Sequence, residues 1–506
     1  MRIVDVINKI KNDRALNLMF LIDISMLNEN EFNKAVELLN QNIKTKSGEE
    51  PISFETAFLM SKLDDKEQEN YRKLGSLGVF HMDQLYNLAK CKSDELYNFM
   101  ANANNIEDIK VNVRFGEFSS VAIKCSGGKT YIFDSNGEQC ETWVKKTNPE
   151  NPQGLIIEVT NTKLNIKQRA IYDVYNRMYS ESYNDCSKLE TEYYDNKGTL
   201  IKTVNTVKSE LEGVYNKSET YPDGRVVPLQ HVYYNPQNGE TVISNNMVSP
   251  AGIRTEYHFE KSPDNTEIVN YKITDKNGNI LLNWENTHQK ISENEYISSS
   301  NGQVYKVVYD DMKIYITDNN GKSYTVDLNN KLGVLNREFL MSALKSLPAD
   351  QLLALNKFPI HIIYDQFDNV NSHWDAQSEY ISMGNHTSTE EQFLSVFKHE
   401  FGHYIDSRPD GSKSISENKE LEEISKKEHC SIINSLSVLE QEITGHLIGD
   451  GLSDPMHEGV AEAIMLLSCG EPFHQIRALN YMEFFPERIA KTAQLFEQRM
   501  KEITED

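Results

Sequence analysis

The sequence predicts a multidomain α+β chain: an N-terminal helical module over residues 1–110, a central antiparallel β-hairpin region over 111–330, and a C-terminal α+β domain over 331–506. Three observations predict it. Capped segments of helical apolar period fill the first stretch. Asn-Gly and Asp-Gly turns between alternating runs punctuate the second. The third mixes short apolar runs with longer amphipathic ones.

The chain has 506 residues and a net charge of −24, which excludes the basic surface a nucleic-acid binder needs. Six cysteines (Cys91, Cys125, Cys140, Cys186, Cys430, Cys469) lie scattered without a C-x-x-C, the pattern of free thiols rather than a disulfide scaffold. No run approaches the ~18 apolar residues of a membrane span. The apolar run Ala15 to Met26 is broken by Asp23 and has no cleavage signature, so it reads as a core helix and not a signal peptide. The expectation is a soluble protein without a membrane span, cytoplasmic or exported by a signal-peptide-independent route.

In the first module, Asn28, Asp64 and Ser93-Asp94 each precede acids and a helical apolar pattern. Their spacing suggests degenerate helical repeats that stack and present a surface. In the second region, turns are expected at Gly127-Gly128, Asn136-Gly137, Gly198, Asp223-Gly224, Asn238-Gly239, Asn277-Gly278, Asn301-Gly302 and Asn320-Gly321. The aromatic residues between them read as cross-strand packing pairs. Leu164 to Cys186 is less regular and reads as a helical interruption.

In the third region, helices are expected over Asn336 to Leu347 and from Pro348, carrying Leu352, Leu353 and Leu355. Pro359 to Asp365 reads as a buried strand, with His361 a packed core histidine. Tyr380-Ile381-Ser382-Met383-Gly384 reads as a strand at a sheet edge, able to hold an extended peptide substrate by main-chain hydrogen bonds.

The chemistry lies just beyond. Ser388 with Glu391 forms a capping-box pattern, and Phe393, Val396, Phe397, Phe401 and Tyr404 make an apolar helical stripe. On another edge of that helix stand His399, Glu400 and His403, an H-E-x-x-H. Residues four apart share a helix face, about 6 Å apart along the axis, so two imidazoles can bind one Zn²⁺ with the glutamate beside them as general base. Catalytic zinc takes three protein ligands. The third is sought downstream, where Asp454 and Pro455 start a helix whose only charge between Gly459 and Cys469 is Glu462. Glu458 and Glu462 share a face; one can bind the metal while the other orients a histidine through its free ring nitrogen.

His399-Glu400-Phe401-Gly402-His403 with Asp406, followed by Glu458-Gly459-Val460-Ala461-Glu462-Ala463, resembles the metalloprotease domain of anthrax lethal factor and the related Pro-Pro endopeptidases. The resemblance covers residues 388–470 and implies a zincin-like domain, a zinc endopeptidase acting on a protein or peptide. It implies one Zn²⁺ on His399, His403 and Glu458, Glu400 as base, and Glu462 and Asp406 supporting the ligands from behind. That family places a tyrosine shortly before the glutamate ligand; His446 to Asp454 contains none, which leaves His446, His457 or Tyr481 for its role. The alternatives are a catalytically inactive domain in a binding or adhesion protein, and a protease that cuts its own linker near 329–336.

Overall fold

A computed structural model describes residues 27–45, 48–77, 82–103, 105–114, 117–172, 186–208, 215–249, 251–310, 313–328, 337–357, 361–365, 372–384, 390–407, 413–440, 456–468 and 483–505. The chain is mixed α and β. It divides into two compact units, one of residues 1–147 and 156–167, the other of 148–155 and 168–506. The division between the units falls inside the hairpin region. Strand alternation in the sequence shows that one face is buried, but not what buries it.

In the first unit, local chemistry fixes the helix starts. Asn28 Oδ1 accepts the Glu31 N–H at 2.9 Å while Glu31 returns a carboxylate to the Asn28 N–H at 3.0 Å. Asp64 and Glu67 repeat the exchange at 2.8 and 2.9 Å. These helices bury Phe32, Met60, Leu74, Leu88 and Leu96 in one core with Val121, Ile123 and Phe133 from the strands Glu117–Cys125 and Lys129–Asp134. The helices pack on a sheet. A hairpin, Asn42–Thr45 with Gly48–Pro51, interrupts the helical stretch.

In the second unit, strands from Cys186–Tyr194 to Ser323–Asp327 pair antiparallel in chain order. Across both units every expected glycine turn forms, each with a positive φ that a side chain resists. Asp134, Asp195, Asp275 and Asp318, each three residues before its glycine, accept two turn N–H groups apiece. The expected interruption is corrected in part: Ile166–Tyr172 is a strand, and 173–185 lies outside the described residues.

One face of this sheet is apolar and buried. Tyr257, Tyr271 and Trp284 stand opposite one another across three strands, and Trp284 meets Phe496 of the helix Pro486–Glu505. Tyr309 Oη donates to the Leu344 carbonyl at 2.9 Å in the helix Arg337–Lys345. The sheet and the C-terminal helices thus share one core. Among the described residues, no helix is long and apolar enough to cross a membrane.

Beside these helices lies a three-stranded sheet ordered His361–Asp365, Tyr380–Gly384, His373–Asp375. His361 is exposed at the start of its strand, so it is not the core histidine expected. Tyr380–Gly384 is the central strand, parallel to one neighbour and antiparallel to the other. Its backbone groups are used on both sides, which removes it as a peptide-binding edge. Its parallel partner is supplied across a connection that local pattern cannot foresee.

Candidate metal centre

The helix Glu390–Asp406 buries Phe393, Phe397, Phe401 and Tyr404 and carries His399 and His403 on another edge. Ser388, its expected cap, lies outside the described residues. The helix His457–Leu466 crosses it. Gly402 sets how closely they cross: a Cβ there would stand 2.6 Å from the Ala461 carbonyl oxygen and 2.8 Å from its Cα. Asp454 and Pro455 lie outside the described residues.

This crossing brings three donor atoms together. His399 Nε2 lies 3.0 Å from Glu458 Oε2, His403 Nε2 lies 3.3 Å from the same oxygen, and the two nitrogens are 3.2 Å apart. At bond lengths of ~2.0–2.1 Å, donors on a tetrahedral zinc stand roughly 3.3 Å from one another. The triangle therefore has the edges of one face of a zinc tetrahedron. Its donor set, two imidazoles and a carboxylate, is one that zinc accepts, and these residues could hold such an ion.

Glu462 is fully buried, and its Oε1 lies 3.2 Å from His399 Nδ1. Glu458 thus stands on the Nε2 side of His399 and Glu462 on the Nδ1 side, which separates the two carboxylates left open by their shared helix face. Glu462 is placed to fix the tautomer and orientation of the ring.

The electrostatics favour positive charge. Burial alone would lower the His399 pKa, but its contacts with Glu458 and Glu462 raise it to about 10. Hydrogen bonds from His399 and His403 hold the Glu458 carboxyl well below its usual range. Glu400 is 6% exposed; burial raises its pKa, the two histidines oppose that rise, and Glu458 adds to it. A buried carboxyl with a raised pKa is suited to take up a proton and give it back.

Asp406 differs from expectation. It is fully buried, but its oxygens accept the Ser416 N–H at 2.8 Å and the Ser416 hydroxyl at 2.7 Å, and Oδ2 faces His457 Nδ1 at 3.3 Å. The His457 ring in turn lies 4.3 Å from that of His403. His446 and Tyr481 lie outside the described residues.

Three supports had no signal in the sequence. Arg499 donates to the carbonyls of Ile405, Asp406 and Lys413, holding the end of the histidine helix. Tyr271 and Asn286, from the large sheet, donate to the Leu466 and Leu467 carbonyls at the end of the glutamate helix. Trp374 anchors the strand His373–Asp375 through its indole N–H, 2.9 Å from Ser407 Oγ. The Gly402 contact was signalled only by a glycine inside a helix, where it costs about 1 kcal/mol against alanine.

No known protein family matches this chain, and no curated protein matches it in sequence.

Proposed function

We propose that this protein is a zinc-dependent endopeptidase with a zincin-like catalytic domain. The observation that carries the reading is the near-equilateral triangle of His399 Nε2, His403 Nε2 and Glu458 Oε2, with buried Glu400 next in sequence to the first of them.

In this reading His399, His403 and Glu458 hold one Zn²⁺, which when bound acts as a Lewis acid on the scissile carbonyl and lowers the pKa of water. Glu400 takes the proton of the attacking water and hands it to the leaving amine, so the carboxylate is regenerated each cycle. Glu462 holds the His399 ring through Nδ1, and Asp406 with His457 braces the side of His403. The substrate lies extended along His373–Asp375, an outer strand of the small sheet among the described residues, and pairs by its main chain. That strand takes the role first expected of Tyr380 to Gly384.

The test is metal analysis of the pure protein together with cleavage of a mixed peptide library. Glu400→Gln keeps one zinc per chain and loses cleavage; His403→Ala loses both. Wild-type cleavage by Glu400→Gln would remove the general base, and wild-type zinc content in His403→Ala would remove that residue from the metal.

A further inference from the structure

The first unit contains a cleft that no step of the proposed hydrolysis uses. Its volume is about 680 Å³, inside the ~300–1,000 Å³ of sites that take small ligands. One wall is the helix Glu95–Asn102, which contributes Glu95, Asn98, Phe99 and Asn102. Their i, i+3, i+4, i+7 spacing puts them on one helix face, while Leu96, Tyr97 and Met100 go to the core. The other wall is the strand Lys129–Asp134, whose alternate residues Lys129, Tyr131 and Phe133 share a face of the sheet. Phe99 meets both strand rings, Tyr131 at 4.8 Å and 53° and Phe133 at 5.3 Å and 57°. Phe133 is fully buried beneath, whereas Phe99 and Tyr131 are half-buried and leave ring surface in the cleft.

The polar lining residues are oriented by the protein itself. The amide nitrogen of Asn102 donates to the Asn98 carbonyl at 2.8 Å, that of Asn105 to Ser126 Oγ at 3.1 Å, and that of Gln139 to Thr142 Oγ1 at 3.1 Å. With each nitrogen anchored, the three amide oxygens are presented as acceptors. Glu95 Oε2 takes the Gln139 backbone N–H at 3.2 Å, which ties the helix to the sheet. The charged lining residues are Glu95 and Lys129, one of each sign, so the cleft favours neither an anion nor a cation. A purely apolar ligand would strip water from these polar groups and return no hydrogen bonds. A neutral polyhydroxylated ring satisfies both surfaces. Its C–H face lies on an aromatic ring, and its hydroxyls, each donor and acceptor, meet the amide oxygens and the lysine.

We propose that this cleft binds a neutral hexopyranose oligosaccharide, with Phe99 and Tyr131 as the stacking platform and Asn102, Asn105 and Gln139 hydrogen-bonding its hydroxyls. The site is independent of the peptidase reading.

The experiment is saturation-transfer difference NMR on the full chain with cellobiose, maltose and N,N′-diacetylchitobiose at millimolar concentration, and with trilysine as the cationic comparison. At least one disaccharide is expected to receive saturation, strongest at the C–H protons of one ring face. Phe99→Leu and Asn102→Ala are each expected to weaken that binding about tenfold, and Tyr131→Phe, which keeps the ring, to stay within about twofold of wild type. Thermal unfolding of the same preparations shows whether each variant is folded. Asn102 is exposed, so Asn102→Ala tests the site even where Phe99→Leu unfolds. No transfer to any of the three sugars overturns the proposal, as does transfer that the folded variants leave at wild-type strength. Trilysine bound in their place overturns it too, by showing that the cleft selects a cation.

Discussion

Replacing Gly402 by alanine tests the geometry on which the proposed metal site depends. The new methyl would stand 2.6 Å from the Ala461 oxygen, 2.8 Å from its Cα and 3.0 Å from its carbonyl carbon, all main-chain atoms that cannot rotate away. Comfortable contact begins at about 3.5 Å, so the two helices must part by roughly 1 Å. Glu458 lies one turn from Ala461 on the displaced helix, while metal–ligand distances tolerate only about 0.2 Å. Two stability effects oppose each other. Alanine gains up to about 1 kcal/mol as the better helix former, and overpacking a filled interior costs about 1–3 kcal/mol. The net loss of fold stability is therefore expected to be small, about 0–2 kcal/mol. The metal should register more, with zinc affinity falling on the order of 10- to 100-fold, the range seen when support around a ligand is lost. The assay is competition with a chromophoric chelator, run beside thermal unfolding of the same preparations. Unchanged zinc affinity in a folded Gly402→Ala protein would refute the argument that this crossing sets the donor triangle.

Three further outcomes are expected. Removing zinc with a chelator should lower the unfolding temperature of the zinc-loaded protein, since an ion bound only by the folded state at 100 times its Kd adds about 2.7 kcal/mol; identical melting curves would argue against a site formed by folding. Asp350 is half-buried beside Ser300, and desolvation raises its pKa from 3.8 to about 6. The folded state keeps that proton where the unfolded state has lost it, so this stability is full below pH 3.8 and lost as pH rises to about 6, on the order of 3 kcal/mol. Urea unfolding of wild type and Asp350→Asn between pH 4 and 7 should show the loss in wild type alone. Burial pushes the Cys91 and Cys140 thiols up to about 12, whereas Cys430 is exposed. A brief maleimide pulse at pH 7.5 should therefore modify Cys430 and spare those two; mass mapping that finds them labelled in the native protein would contradict their placement.

What was legible in the sequence was what short-range chemistry decides. The caps at Asn28 and Asp64 and the glycine turns follow from side chains and main-chain groups within a few residues of each other. The pairing of His399 with His403 follows from helix period alone. The distinction between Glu458 and Glu462 does not, since both occupy one face, and the crossing of two distant helices settles which nitrogen of His399 each one meets. Strand order was equally hidden. Tyr380–Gly384 looks like an edge until a parallel neighbour arrives from His361–Asp365. Asp406 sits within a turn of His403, yet its partners, Ser416 and His457, come from other segments. The core shared by the large sheet and the C-terminal helices was hidden for the same reason. Tyr271 and Asn286 alternate as in any half-buried strand, and nothing near them in sequence says that they end on the glutamate helix.

The central claim is tested most directly by diffraction at the zinc absorption edge from crystals of the zinc-loaded protein. The account predicts one anomalous peak per chain, ~2.0–2.1 Å from His399 Nε2, His403 Nε2 and a Glu458 oxygen. A peak that Glu462 ligates in place of Glu458, or no peak near the two imidazoles, would contradict it.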